Sequence, residues 1–294
     1  HLIGAQHYDG LSKPTAIDRA AVRTSLGLPP EGRLLLFAGS LRPFDEISVL
    51  RELEQAIEAG TVPAMHVLYR PHPWRGIRRH EASYDDYAWR HVTLDPALST
   101  TYRVGKAQGR RFAPESLVIE LDHLMRIYQV VDAVVSPMST ILLESLVAGL
   151  PAMAIAFGDG KHSWGPHQVS RMLHFKELYE VPGLIVCRDT GAFLPGIRQL
   201  IAQAGNAAFR ATLRQHSRYF VHQDHRSYAD RVTELVETTL AGVNGPPAYE
   251  AAMCRPGPRF LAQELWRGSV VSKSWEQLSQ SVRLLVTSRS GTCR

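Results

Sequence analysis

Cysteine is scarce in this chain of 294 residues: three occur, Cys187, Cys254 and Cys293, and none belongs to a C-x-x-C pair. That excludes a disulfide framework and a zinc ribbon, and makes a reducing, cytoplasmic setting the simpler expectation. Long apolar runs are also lacking. The longest, around 141–157, is broken by Glu144, Gly149 and Pro151, which excludes a membrane-spanning helix. GxGxxG and the Walker pattern are absent, which counts against dinucleotide dehydrogenases and P-loop NTPases. There is no GxSxG, HExxH or EF-hand loop either. His162, His167, His174 and the "HQDH" at 222–225 match no zinc spacing, so no metal site is expected. Basic residues exceed acidic ones by five, with a pI near 9.2. They are scattered and not interleaved with aromatics, so nucleic acid is not an expected partner. The diffuse excess suits anionic ligands such as nucleotides, or an anionic membrane face. No signal-peptide pattern opens the chain, which starts at His1 and is expected to be a fragment.

What is present is an alternation. "RLLLFAGS" (33–40), "AMHVLYRPHP" (64–73), "HVTLD" (91–95), "DAVVSP" (132–137), "PAMAIAF" (151–157) and "GLIVC" (183–187) are continuous apolar runs with the character of buried strands. Helical patterns separate them. In 44–60 the residues Ile47, Leu50, Leu53 and Ile57 mark one face, and Gly60 ends it. Further helices are predicted over 15–28, 116–129, 139–149 and 165–180, and 190–241 is mostly helical. The opening "HLIGAQHYDGL" predicts a short strand and turn, and the polar stretch 96–114 a loop or insertion. Strands without polar alternation, separated by helices, imply a doubly wound α/β domain with a parallel sheet covered on both faces. The chain divides into a lead-in (1–32), a Rossmann-like domain (33–241) with a helical C-terminal region, and a linker and appended tail (242–294).

Ligands of open parallel sheets bind beyond the carboxyl ends of the strands. Three groups fall there. Ser139 and Thr140 stand where a helix begins after "DAVVS", beside free N–H groups and the positive end of the dipole, so they can complete a phosphate cradle. Their alternative duty is N-capping. Glu144 lies one turn beyond Thr140 on the same face and fits no capping box built on either hydroxyl. A carboxylate in so apolar a helix needs partners. A ribose diol offers two donors; a salt bridge to a distant Arg or Lys is the alternative. In "RPHP", prolines on either side fix the backbone at His72, which can then donate to a phosphate oxygen, and Arg70 can add charge. A purely structural histidine is the alternative. Gly39–Ser40 ends the first strand, where a glycine lets a backbone approach a ligand.

"GSLRPFDE" (39–46), "RPHP" (70–73), "SPMSTILLESLVAGLPAMAI" (136–155) and "DHRSYADRVTELV" (224–236), in that order, resemble the C-terminal, nucleotide-binding half of GT-B glycosyltransferases. The branch they are similar to includes CDP-glycerol glycerophosphotransferases, bacterial sialyl- and polysialyltransferases and capsule polysaccharide enzymes. The resemblance covers about residues 1 to 241. It implies His72 as the catalytic group at the donor phosphate or cytidine, Ser139 and Thr140 at the phosphate, and Glu144 at the ribose. Gly39, Ser40, Arg70, Pro73 and Ser136 complete the implied donor-binding set. It implies transfer of a sugar from a nucleotide-activated donor, CMP- or CDP-linked before UDP-linked, to a glycan acceptor. The expected setting is bacterial surface polysaccharide synthesis, at the cytoplasmic side and peripheral to the inner membrane face. The donor is a substrate, so no cofactor is expected. UDP-N-acetylglucosamine 2-epimerases share much of the pattern, which keeps an isomerase open, and a non-catalytic nucleotide-binding module is the other alternative. Only about 30 residues precede the first strand of the sheet. The acceptor domain, with its general base, is therefore expected to be missing, truncated or on a partner chain.

Overall fold

In the computed structural model, residues 6–12, 16–73, 81–108, 121–169, 177–222 and 226–240 are described. Six strands form one sheet: β1 (Leu34–Ala38), β2 (His66–Arg70), β3 (Val92–Leu94), β4 (Ala133–Ser136), β5 (Ala152–Ile155) and β6 (Ile185–Cys187). Their order is β3-β2-β1-β4-β5-β6, and every neighbouring pair is parallel. The chain builds outward from β1 to β3, then returns to lay β4 on the other side of β1. That reversal is the topological switch point of a doubly wound sheet, as the sequence predicts.

The helices are α1 (Gln6–Ser12), α2 (Arg19–Ser25), α3 (Glu46–Glu58), α4 (Pro96–Gln108), α5 (Leu121–Val130), α6 (Ile141–Ala148), α7 (Pro166–Val169), α8 (Phe193–Ala202), α9 (Ala207–Ser217) and α10 (Tyr228–Leu240). Because successive strand side chains point to opposite faces, each apolar strand serves two cores. Leu35 and Phe37 of β1 pack with Leu50 and Leu53 of α3 and Phe193 and Ile197 of α8. Leu34, Leu36 and Ala38 pack on the other side with Leu11 of α1, Leu26 at the end of α2, Ile127 of α5 and Val147 of α6. A third cluster joins Leu142 and Leu146 of α6 to Ala152, Ala154 and Leu213. The chain divides into two compact units, His1–Glu234 and Leu235–Arg294. The expected linker and tail, 242–294, lie outside the described residues.

Two local expectations are corrected. The opening segment is helical over Gln6–Ser12. Its Leu11 is buried against the second core, and Gly10 lies so close to α5 that a methyl group there would stand 2.6 Å from Met125 Cε. Packing decides this short helix, since seven residues are too few to hold one by propensity. The second correction is α4, where a loop was expected. Pro96 occupies its first position and the Asp95 carboxylate accepts from the Ala97 N–H at 3.0 Å, so a cap followed by proline starts the helix despite its polar composition. Parts of two predicted helices, 116–120 and 170–176, lie outside the described residues, as do 109–115. The described remainder of 165–180 is α7 and a 3₁₀ turn, Glu177–Glu180.

Candidate functional site

Beyond the carboxyl ends of β2, β1 and β4, side by side in that order, come His72, Gly39–Ser40 and Ser136–Thr140. Two strand spacings separate the outer pair, about 10 Å, which is the scale of a nucleotide's phosphates and sugar. The fold therefore brings the predicted groups to one edge at the switch point.

The β4–α6 turn is built on a backbone that side chains seldom adopt. Met138 has φ 61° and is buried, a left-handed conformation that costs on the order of 1–3 kcal/mol in a non-glycine residue and collects at functional sites. Ser136 Oγ, fully buried at the end of β4, lies 2.9 Å from Ser139 Oγ. Thr140 occupies the N-cap position and is exposed, yet its side chain makes no capping hydrogen bond. Neither hydroxyl caps α6. The helix has its positive end at this turn, and its first N–H groups are not satisfied by either side chain.

Gly39 is held by its N–H, which donates to Arg70 O at 2.8 Å. A methyl group on it would sit 2.6 Å from Glu46 Oε2 and 2.9 Å from the main-chain nitrogen of His72. Glycine is required here by protein groups: it lets the β1 and β2 loops and a buried acid converge. That acid, Glu46, accepts from the Ser40 N–H at 3.0 Å and from the Tyr69 hydroxyl at 2.8 Å. Ser40 is itself buried, its hydroxyl accepting from the Arg42 N–H at 3.2 Å. His72 and Pro73 are half-buried at the mouth of β2.

Arg70 has a different occupation from the one expected. It is buried and ion-paired with Asp95, whose other carboxylate oxygen lies 2.8 Å from His123 Nε2. Burial works against the charged Asp95, but the His123 hydrogen bond and the Arg70 charge outweigh it and hold the carboxyl below its ordinary value. The Arg70 charge is thus already matched inside the protein.

Glu144 is also buried, and its partner is neither an arginine nor a lysine. The Tyr128 hydroxyl donates to Oε2 at 2.7 Å. Burial pushes the carboxyl above its ordinary 4.5, and the Tyr128 hydrogen bond and the positive fields of His7 and Arg70 oppose that rise only in part. Its charge is felt in return: Tyr8 is pushed up to about 12, by burial first and Glu144 second.

The rim is tied across the site. The Asp45 N–H, at the start of α3, donates to Asp159 Oδ2 at 2.7 Å, in the loop after β5. Asp159 also meets His162 Nδ1 at 2.7 Å, and Lys161 reaches back to Asp45. Arg42 lies 5.6 Å from the ring centre of exposed Trp164, so the loops after β1 and β5 form one wall. Among the described residues, no group of three or more His, Cys, Asp and Glu side chains is placed to hold a metal ion.

No protein-family model matches the chain. A curated protein, D-inositol 3-phosphate glycosyltransferase of Mycolicibacterium gilvum (strain PYR-GCK), is 29% identical over 147 residues, 48% of this chain and 28% of that protein. Among solved structures, a variant of the wall teichoic acid polymerase TagF matches with a TM-score of 0.51 at 13% identity, over 82% of this chain and 52% of that one. The fold is GT-B-like. TarM aligns more loosely, with a TM-score of 0.35 at 10% identity over 70% of this chain and 34% of that one. The GT-B-like chain therefore spans about half the length of the TagF chain, and less of the curated relative.

Four residues of the site escaped sequence reasoning. Glu46 looks like an ordinary first-turn acid of α3, and only the convergence of β1 and β2 reveals its role. Tyr128 belongs to the apolar face of α5, which conceals its hydroxyl. Asp95 stands before Pro96, a cap signal that could have drawn notice. His123 left no signal at all.

Proposed function

We propose that this chain is the donor-binding half of a metal-independent GT-B glycosyltransferase. It takes a sugar from a nucleotide-activated donor, CMP- or CDP-linked in preference to UDP-linked, and acts with an acceptor-binding half and a glycan acceptor in bacterial surface polysaccharide synthesis. It works in the cytoplasm at the inner membrane face, where its basic balance favours anionic lipid. The observation that carries this reading is the turn after β4: two hydroxyls stand at a helix N-terminus at the switch point, and neither is spent on capping the helix.

In this reading the donor phosphates rest on the first N–H groups of α6, Ser139 and Thr140, with Ser136 steering Ser139. His72 approaches from the β2 side. As the bond to the sugar breaks, negative charge grows on the leaving phosphate, and these prealigned donors stabilise it. Glu144 receives the ribose hydroxyls through its second carboxylate oxygen while Tyr128 holds the first. The acceptor hydroxyl is deprotonated by a base on the other half. Glycosyltransferase activity in the curated relative and the likeness of the fold to TagF support the reaction class.

A thermal-shift series with CMP, CDP, UDP, GDP and ADP tests it. A nucleotide at 100 times its Kd stabilises by about 2.7 kcal/mol, an easily read rise in melting temperature. Cytidine nucleotides are expected to give the largest rise. Silence from all five removes the donor-site reading, and a rise led by ADP or GDP removes the pyrimidine assignment.

A further inference from the structure

At the opposite edge of the sheet, where α6 ends and β4 begins, lies a cavity of about 310 Å³. Three guanidinium groups reach it from two elements: Arg19 of α2, and Arg210 and Arg214 of α9. Leu11, Ile17 and Met125 supply an apolar wall, and Tyr128, whose hydroxyl holds Glu144, also lines the cavity.

The charges do not balance. Arg19 and its neighbour Arg23 share one carboxylate, Asp132, at 2.8 and 3.2 Å. Arg210 Nε donates to Gly149 O at 3.0 Å and Arg214 Nη2 to Ala148 O at 3.1 Å, both main-chain oxygens. Among the described residues, neither has a carboxylate partner. Four cations thus face one anion and the negative ends of α5 and α6, Arg19 and Arg23 also donating to Val130 O, and each helix end is equivalent to about half a charge. A surplus of about two positive charges is held close together. Arg210 responds to it: burial first, then Arg214 and Arg19, depress its proton affinity. Capping α6 explains one nitrogen of each α9 arginine. The remaining nitrogens of Arg210 have no hydrogen-bond partner among the described residues.

We propose that this cavity is a second anion site, distinct from the phosphate cradle of Ser139 and Thr140, for an organic phosphate monoester whose dianionic head meets Arg19, Arg210 and Arg214 and whose short apolar group lies on Leu11, Ile17 and Met125. Guanidinium forks suit phosphate oxygens, and a dianion matches the surplus. The wall beside them selects an amphiphile over inorganic phosphate. This inference does not depend on the proposed transferase activity.

Isothermal calorimetry on the full chain, with hexyl phosphate, inorganic phosphate and hexyltrimethylammonium, tests it. Hexyl phosphate is expected to bind saturably, at least tenfold tighter than inorganic phosphate, and the cationic amphiphile not at all. Arg210→Gln should weaken hexyl phosphate at least tenfold. Ile17→Trp, which fills the cavity and keeps every arginine, should do the same, so a folding defect of the first variant would not blur the outcome. The double variant Ser139→Ala, Thr140→Ala should leave this binding unchanged. Absence of saturable binding, equal affinity for inorganic and hexyl phosphate, affinity unmoved by both cavity variants, or loss in the Ser139/Thr140 variant would each overturn the proposal.

Discussion

At Glu144 a carboxylate is almost withdrawn from water while one tyrosine hydroxyl holds it. Folding raises its pKa above the ordinary 4.5, so its sign is that of a destabilised charge. Below 4.5 the group is protonated in both states and costs nothing. As pH rises through the folded value, the folded state must ionise a buried acid and loses stability. Glu144→Gln keeps an acceptor for Tyr128 and cannot ionise. Its melting temperature is therefore expected to gain on the wild type between pH 4 and 8; a gain of about 1 kcal/mol corresponds to roughly 2–4 °C for a domain of this size. A difference that does not vary with pH would show that the wild-type group stays neutral. The same variant should bind nucleotide about tenfold more weakly, because a charged acceptor for the ribose becomes a neutral one. His72→Ala separates chemistry from binding. Loss of one donor to a charge that develops in the transition state costs about 10²–10³ in kcat, with donor affinity changed much less. Equal losses in kcat and affinity would reduce His72 to a positioning residue.

At the scale of elements, the site is a junction of three loops, and Gly39 is where those after β1 and β2 meet. Gly39→Ala places a methyl group against Glu46 and the His72 main chain, and the backbone cannot swing aside as a side chain can. A cost of about 1–3 kcal/mol in urea unfolding is expected, typical of overpacking a tight interior, together with weaker nucleotide binding as Ser40 and His72 shift. Unaltered stability would mean that the β1 and β2 loops are softer than their contacts imply. Strands and amphipathic helices such as α3 were legible in the sequence because their apolar spacing is a local property. Helix α4 was not, since its polar composition hides a start signal made of only Asp95 and Pro96, and α1 was not, since its reason is a packing surface on α5.

At the scale of the whole molecule, Arg70, Asp95 and His123 fasten the ends of β2 and β3 to α5, within a sheet buried on both faces. Asp95→Asn leaves Arg70 buried without its counter-charge, and a loss of about 3–5 kcal/mol is expected in chemical denaturation. Against a typical total of about 5–15 kcal/mol that is a large share. A loss under about 1 kcal/mol would show that water already reaches the pair.

The sequence by itself determined the order of strands and helices, the parallel sheet, and the edge at which His72, Ser139 and Thr140 emerge. All of these follow from apolar runs and turn residues read within a few positions of each other. Only the tertiary structure decided which strand neighbours which, that Arg70 answers to Asp95, that Tyr128 meets Glu144, and that Arg19, Arg210 and Arg214 share one cavity. Those pairings join residues from 16 to nearly 200 positions apart. A charge or hydroxyl has the same local signature whichever partner it finds, and the partner is chosen by how the helices pack on the sheet.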